Sequence, residues 1–155
     1  MTMIPDAYDL KLLAEVQKEG NLSQGELGWR VHLSTAVVSR RLKRMAAEGV
    51  IDGYTAIVAP AVLGYALTIV AEVEVANERI DLIEALQRSF LACPQVQQCY
   101  YVSGEWDFVL IFIVRDMAQY TELTRQLFFE SKNVKRFKTL VTMNRVKAGL
   151  NVPVE

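Results

Sequence analysis

The spacing of apolar residues changes at Pro60, and this change divides the chain into two parts. Before Pro60, apolar side chains recur every three or four residues, as they do on one face of an α-helix. After Pro60 they first alternate along an extended segment that carries Leu67, Ile69, Ala71, Val73 and Val75 on one side. A chain of 155 residues is long enough for two small cores. The sequence therefore predicts a helical domain over residues 1–53, a linker strand over 54–64 and a second domain over 65–155.

Three helices are predicted in the first part of the chain. The first runs from about Asp6 to Glu19. The second begins at Ser23, because Ser23 and Glu26 have the spacing of a capping box, in which each side chain binds a free backbone N–H group of the other residue. The third begins at Ser34, only two or three residues after the second ends. Two short helices so close in sequence have to cross sharply, which is the geometry of a helix-turn-helix.

The third helix concentrates positive charge, although the net charge of the whole chain is −1. Its apolar residues Val38, Leu42 and Met45 have helical spacing and are expected to face the core. Small polar residues near its start can approach base edges, and the basic residues further on can reach phosphates or guanine. The predicted DNA-contacting residues are Ser34, Thr35, Ala36, Ser39, Arg40, Arg41, Lys43 and Arg44. A solvated basic helix face is the alternative, and the tight helix pair favours DNA.

The residues after the third helix, 49–54, are predicted to form a helix stop, a short strand and a turn, like the wing of a winged helix-turn-helix. From residue 65 onward the predicted order is βαββαβ. Strands are expected at 65–75, 96–103, 106–114 and 136–146, and helices at 79–91 and 117–130. This order is typical of an α+β, ferredoxin-like domain with both helices on one face of an antiparallel sheet.

The third strand of this domain is apolar on both sides. Phe108, Leu110 and Phe112 lie on one side, and Val109, Ile111 and Ile113 lie on the other. An antiparallel strand with one wet face normally alternates with polar residues, and a contiguous apolar face usually marks an interface. We therefore expect Val109, Ile111 and Ile113 to lie in an oligomer interface, first of all in a two-fold dimer. Packing within a single chain is the alternative.

Two other functional classes compete with a DNA-binding regulator. An enzyme is disfavoured because the chain has one histidine, His32, no Gly-rich phosphate loop and no set of nucleophile and base; no catalytic residue is predicted. Cys93 and Cys99 have no metal-ligand spacing, so no metal or cofactor is expected. A metabolite-sensing module that controls a protein partner would leave the basic helix without a role. No apolar stretch is long enough for a membrane span and no signal peptide is visible, which predicts a cytoplasmic protein.

Several motifs, taken together, resemble the Lrp/AsnC family of leucine-responsive and asparagine-operon regulators. Asp9–Leu13 is similar to the family's opening helix, and Leu33–Met45 with Glu48–Tyr54 is similar to its recognition helix and exit. Leu63–Tyr65 is similar to the entry to its effector domain, and Val102–Phe108 to its Gly-x-x-Asp signature. Asn133–Val134 through Lys147 is similar to its final strand. The resemblance extends from Asp9 to about Val152. It implies a sequence-specific DNA-binding transcription regulator whose DNA binding or assembly is modulated by a small effector, a free amino acid.

The resemblance also implies dimers that assemble further, often into octamers, with the amino acid at the contact between dimers. The effector site then lies at Ser103, Gly104, Glu105, Trp106 and Asp107. Backbone N–H groups near Gly104 would hold the ligand carboxylate, and Asp107 would receive its ammonium group. Judged from these residues alone, an ordinary turn glycine and a turn-capping carboxylate remain the alternatives.

The sequence departs from the family pattern at two positions. His32 stands where the family usually has glycine in the helix-turn-helix turn, and a left-handed backbone there would cost a histidine roughly 1 kcal/mol. Trp106 stands where smaller or less bulky aromatic residues are common. A change in the shape or the ligand choice of the effector site is the expected consequence.

Overall fold

The computed structural model describes residues 3–154, which form two compact units. The helical unit contains the chain up to Val58 and again from Gly149 onward, and the sheet unit contains Ala59–Ala148. The tail belongs to the helical unit because the Gln17 side chain binds it: Nε2 donates to the Val152 carbonyl oxygen (3.1 Å), and Oε1 accepts from the Val152 N–H (2.7 Å). This differs from the sequence-based boundary, which placed the whole of 65–155 in one domain.

The helical unit consists of α1 (Ala7–Lys18), α2 (Gln24–Val31) and α3 (Thr35–Ala47). The predicted capping box at the start of α2 is confirmed, since Ser23 Oγ accepts from the Glu26 N–H and the Glu26 carboxylate accepts from the Ser23 N–H. Ser34 caps α3, as predicted, by accepting from the Val37 N–H. The core between the three helices contains Leu12, Leu27, Val31, Val38 and Met45.

The turn between α2 and α3 depends on a close backbone approach at Gly28 and on a left-handed backbone at His32. A Cβ atom on Gly28 would lie 2.4 Å from the Leu33 carbonyl oxygen, so only glycine permits this close approach. His32 adopts the left-handed conformation (φ 59°, ψ 45°). The turn therefore keeps the conformation that favours glycine, and His32 carries the strain expected from the sequence.

The strands predicted between α3 and residue 65 are absent from the part of the chain that the structure describes. Residues 49–51 form a turn and a bend, residues 52–59 are irregular, and Pro60–Leu63 form one turn of 3₁₀-helix. The structure contains neither the short strand predicted near residue 50 nor the linker strand predicted over 54–64, so both predictions are wrong. A strand has to pair its backbone N–H and C=O groups with a neighbour, and no described segment of this chain supplies one.

The sheet unit contains β1 (Leu67–Val75), α4 (Ile80–Leu91), β2 (Val96–Tyr101), β3 (Phe108–Val114), α5 (Met117–Thr124) and β4 (Val134–Val141). The last turn of the second helix, Arg125–Phe129, is a π-helix. The strands pair antiparallel in the order β2-β3-β1-β4. This confirms the predicted α+β, ferredoxin-like fold.

The core of the sheet unit lies between one face of the sheet and the two helices. Phe108, Leu110 and Phe112 of β3 are fully buried there, and Phe90 of α4 packs edge-to-face on Phe108 at 5.4 Å. Val109, Ile111 and Ile113 lie on the opposite, outer face and are only partly buried. Across this face Glu72 is paired with Val109 and forms a salt bridge with Lys138 (3.3 Å). The outer face is therefore apolar along β3 and charged toward β4.

None of the helices among residues 3–154 is long and apolar enough to cross a membrane.

Candidate DNA-binding and effector sites

The exposed side of α3 carries small residues at its start and two basic residues further along. Thr35, Ala36, Arg40 and Lys43 are exposed, and Ser39 is partly buried. At about 100° per residue these five positions fall within one side of the helix, opposite the core residues Val38 and Met45. Within residues 3–154, neither Arg40 nor Lys43 forms a salt bridge, so both charges are available to a ligand.

Arg41 and Arg44 face α1 instead. Arg41 Nη1 lies 2.7 Å from Asp6 Oδ2 and 2.8 Å from Asp9 Oδ1, and Arg44 Nη2 lies 2.7 Å from Asp9 Oδ2. Asp9 is fully buried, and a buried carboxylate needs partners for its charge. The two arginines supply them. The hydrogen bond from Arg41 lowers the pKa of Asp6, and the carboxylates of Asp6 and Asp9 raise the pKa of Arg41. We define Asp9, Arg41 and Arg44 as the α1–α3 clamp.

The clamp changes the interpretation of the basic cluster. The sequence expectation grouped Arg41 and Arg44 with the DNA-contacting residues, whereas the structure uses their guanidinium groups to attach α3 to α1. Sequence reasoning missed the clamp because Asp9 lies 32 and 35 positions away from the two arginines. The helical phase gave a local signal for position 41 alone, which is turned by about 100° from Arg40 and about 160° from Lys43, whereas position 44 lies within about 40° of Arg40.

A cavity of about 520 Å³ lies beside the turn between β2 and β3. Its lining residues are Glu78, Tyr101, Val102, Ser103, Gly104 and Asp107. Three of the five residues predicted for the effector site, Ser103, Gly104 and Asp107, therefore lie together at one concave surface. Gly104 has φ +148°, a conformation that side-chain-bearing residues rarely adopt, so the backbone path of this turn depends on glycine. We call this space the Gly104 cavity.

Asp107 has a structural role in addition to its place in the cavity. Its Oδ2 accepts a hydrogen bond from the Val75 N–H (2.7 Å), and its own N–H donates to the Val73 carbonyl oxygen (2.9 Å). Asp107 thus holds the end of β1, where the register with β4 shifts between Glu74 and Val75. This bond is to β1 and not to the turn itself, so it differs from the turn-capping role that was the alternative, and among the described residues no hydrogen-bond donor contacts the second oxygen, Oδ1.

Glu105 and Trp106 lie on the other side of the turn and do not line the cavity. Arg136 of β4 connects them, since its Nη2 lies 3.1 Å from Glu105 Oε1 and its guanidinium carbon lies 4.6 Å from the Trp106 ring centroid. Arg136 also forms a salt bridge with Glu74. Trp106 therefore packs under an arginine, and its bulk is directed away from the Gly104 cavity.

Sequence reasoning missed Glu78 and Tyr101, which the fold brings to the Gly104 cavity. Glu78 lies between β1 and α4, and Tyr101 is the last residue of β2. No local motif connects either of them to the Gly-x-x-Asp turn. Only the antiparallel pairing of β1 and β2 with β3 brings the three segments to the same end of the sheet.

A second, smaller groove of about 290 Å³ lies between α4 and the π-helical turn. Its lining combines aliphatic side chains such as Leu82, Leu86 and Leu127 with polar groups at one end. It contains none of the residues of the Gly-x-x-Asp turn. Among the described residues, no group of three or more His, Cys, Asp or Glu side chains could hold a metal ion.

The two units together define a class of protein. A helix-turn-helix with an exposed basic side on its second helix is a DNA-binding unit. A separate ferredoxin-like unit with a cavity at a glycine turn is suited to binding a small molecule. The chain therefore combines DNA recognition with a ligand-binding domain, which is the organisation of a ligand-responsive transcription regulator.

The chain belongs to the Lrp/AsnC family of transcription regulators. The family model described as the Lrp/AsnC ligand binding domain matches residues 68–152, and the model described as a winged helix-turn-helix DNA-binding domain matches residues 5–52. The resemblance found in the sequence motifs is confirmed. Like its family, the protein is a DNA-binding transcription regulator modulated by a small-molecule effector.

Individual relatives and solved structures agree with this assignment. An uncharacterised HTH-type transcriptional regulator of Sinorhizobium fredii is 41% identical over 97% of this chain and 89% of its own length. The leucine-responsive regulatory protein of Haemophilus influenzae is 34% identical over 92% of this chain and 86% of its own length. A transcriptional regulator of Neisseria meningitidis, solved in complex with L-methionine, superimposes with a TM-score of 0.90 at 25% identity, covering 97% of both chains.

Proposed function

We propose that the protein binds double-stranded DNA through the exposed side of α3 and that a free amino acid bound in the Gly104 cavity modulates this binding. One observation supports the DNA interface above all: Arg40 and Lys43 are exposed, and they form no salt bridge among residues 3–154. The small side chains of Thr35, Ala36 and Ser39 lie on the same side of the helix. Small side chains let the helix approach base edges, while the two cations reach phosphates or guanine. Ser34 contributes as the helix cap at the same end.

In this proposal Arg41 and Arg44 first of all position α3, and only Arg44 is exposed enough to contact DNA as well. Their bonds to Asp9 hold α3 against α1, so the helix presents Arg40 and Lys43 in one orientation. Arg44 is about half exposed and can additionally face the DNA backbone while it remains bonded to Asp9. Arg41 is mostly covered and serves the clamp.

The DNA interface is tested by the salt dependence of binding. For a residue that neutralises one phosphate, substitution by alanine lowers the slope of log K against log salt by about one unit. We expect this for Arg40→Ala and Lys43→Ala, measured on DNA from the region upstream of the protein's own gene. Lys18→Ala is a matched control, because Lys18 is a basic residue of α1 whose charge is already paired with Glu15. Unchanged slopes in both variants would remove α3 from the interface.

Three observations support a free amino acid as the effector. The ligand domain of the family covers the Gly104 cavity, and the Neisseria relative was solved with L-methionine. The cavity of about 520 Å³ has the size of a small-molecule site. It also presents backbone near Gly104 for a carboxylate and the second oxygen of Asp107 for an ammonium group. Calorimetry of the full chain with the twenty amino acids is the direct test, and no binding at millimolar concentration would refute this part.

We further propose that two copies pair through the outer face of the sheet, around Val109, Ile111 and Ile113, and that such dimers assemble further, as the family implies. The partly buried apolar row on β3 supports this, since water would otherwise cover it. The proposal includes a cytoplasmic location, because the DNA partner is there, and it assigns no catalytic step to any residue.

A further inference from the structure

Arg40 points farther from the core of the helical unit than the other basic residues of α3. At about 100° per residue, its position is turned about 160° from Val38 and Leu42 and about 140° from Met45. These three are the apolar side chains of α3 that pack in the core. Ala36, one turn before Arg40, is also exposed and carries only a methyl group. The outermost part of α3 therefore presents a guanidinium group next to a small residue.

Lys43 and Arg44 lie on the two flanks of Arg40. Lys43 is turned about 60° from Arg40 toward Leu42, and Arg44 is turned about 40° in the opposite direction, toward Met45. Both also lie farther from the start of the helix than Arg40 does. The three cations therefore differ in the direction that they face and in their place along the helix.

The guanidinium group of Arg40 is available to a ligand. In the described part of the chain no salt bridge involves Arg40, whereas Arg41 and Arg44 both bind the Asp9 carboxylate. A free guanidinium group presents its N–H donors in one plane, so it can donate two parallel hydrogen bonds to a pair of acceptors. Lys43 offers a compact point charge instead, which suits a single phosphate.

The dimensions of the DNA major groove assign different partners to the centre and to the flanks of the helix. An α-helix with its side chains is about 10–12 Å across, and the groove is about 12 Å wide, so the helix fills the groove. Base edges form the floor of the groove, and the phosphates line its two sides. In a helix-turn-helix the N-terminal part of the second helix contacts the base edges. A side chain at the centre of this part therefore meets bases, and side chains on the flanks meet phosphates.

The chemistry of Arg40 selects one base. A guanidinium group donates hydrogen bonds and accepts none. In the major groove, guanine presents two neighbouring acceptors, O6 and N7, whereas adenine pairs its N7 with a donor and cytosine presents a donor. The small side chain of Ala36 permits a close approach of the helix to the base edges. Guanine is therefore the base that matches the two donors of Arg40.

We infer that Arg40 recognises a guanine in each half-site of the DNA, by donating hydrogen bonds to O6 and N7, and that Lys43 and Arg44 face phosphates. This inference rests on the proposed function, in which α3 is the DNA interface. Arg40 is then the residue that determines specificity at that base pair.

The test begins with selection of duplexes from a randomised DNA pool by the full chain. We expect the selected duplexes to share a guanine in each half-site. Replacing this guanine by adenine should weaken binding about 5- to 100-fold, because a bidentate contact accounts for a factor of that size. Replacing it by 7-deazaguanine, which lacks only the N7 acceptor, should weaken binding in the same direction.

Two substitutions of Arg40 identify the residue that recognises the base. Arg40→Ala should bind the guanine and the adenine duplex with affinities within about twofold of each other. Arg40→Gln should prefer the adenine duplex, because a glutamine amide matches N6 and N7 of adenine. A purely structural effect would not reverse the preference. Lys43→Ala is the matched control on the same side of α3, and it should weaken both duplexes equally.

The outcomes separate the inference from the proposed function. If the parent protein selects no guanine, or if Arg40→Ala keeps the same preference for guanine, the inference is overturned and the proposed interface stands. Equal weakening of both duplexes by Arg40→Ala, as for Lys43→Ala, would assign Arg40 to a phosphate and would also overturn it. If neither variant changes the affinity or the salt slope on any duplex, α3 is not the interface, and the proposed function fails together with the inference.

Discussion

The α1–α3 clamp makes Asp9 the residue whose loss should damage the helical unit most. Asp9→Ala removes the hydrogen bonds from Arg41 Nη1 (2.8 Å) and Arg44 Nη2 (2.7 Å) and the capping bond from the Asp6 N–H (3.1 Å). It also leaves a space the size of a carboxylate at a position with 0% exposure. The two arginine bonds and the filled space act on the packing of α1 against α3, and the bond from Asp6 acts on the start of α1.

The magnitude follows from what remains after the substitution. Removing one partner of a fully buried ion pair costs about 3–5 kcal/mol. Here the arginine side chains are 19% and 48% exposed, and Arg41 keeps its bond to Asp6, so water and one carboxylate still compensate them in part. We therefore expect the free energy of unfolding of the helical unit to fall by about 2–4 kcal/mol.

Urea unfolding followed by far-UV circular dichroism measures this loss in the full chain. The transition of the helical unit should move to lower urea, and the transition of the sheet unit should stay in place, because the two units have separate cores. Asp52→Ala is the control, since Asp52 is an exposed carboxylate of the same unit. If Asp9→Ala does not fold, Asp9→Asn keeps the shape and one acceptor and should give a smaller loss. A loss below about 1 kcal/mol for Asp9→Ala would refute the role assigned to the clamp.

Three further outcomes are expected. His32→Gly should stabilise the helical unit by about 0.5–1 kcal/mol in thermal unfolding, because glycine adopts the left-handed turn without strain and the His32 side chain is exposed; a destabilised variant would contradict this. Ile111→Glu should split the oligomer in light scattering while Ile80→Glu, at an exposed site on α4, leaves it intact; an unchanged mass for folded Ile111→Glu would favour packing within one chain. The hydrogen bond from Arg125 lowers the pKa of Glu122 to about 2 from its usual 4.5, so the stabilisation from this pair is present above about pH 4.5 and is lost as the pH falls toward 2. A carboxyl titration by NMR with a midpoint near 4.5 would show that the pair does not form in solution.

Much of the architecture could be predicted because it is encoded by neighbours in sequence. The capping box at Ser23 and Glu26 and the cap at Ser34 are contacts within three residues, so the starts of α2 and α3 could be predicted closely. The alternation along β1 and β3 depends on the strand repeat of two residues, and it identified the buried face correctly. The left-handed conformation of His32 was expected from the resemblance, because the family usually has glycine at this position of the turn.

The linker shows where local reasoning failed. Residues 54–58 have the composition of a strand, but composition supplies no hydrogen-bonding neighbour. Strand formation is a property of a pair of segments, and the described chain contains no second segment for this one.

The sequence by itself determined the class of each unit, the side of α3 that carries small residues and the turn that contains Gly104, because helical phase, strand alternation and glycine requirements are local. Only the tertiary structure decided which charges remain available for a ligand. It paired Arg41 and Arg44 with Asp9, covered Trp106 with Arg136 and left Glu78 at the Gly104 cavity. The physical reason is that a charge is satisfied by whatever lies within a few ångströms in space, and folding brings together residues that are far apart in the chain.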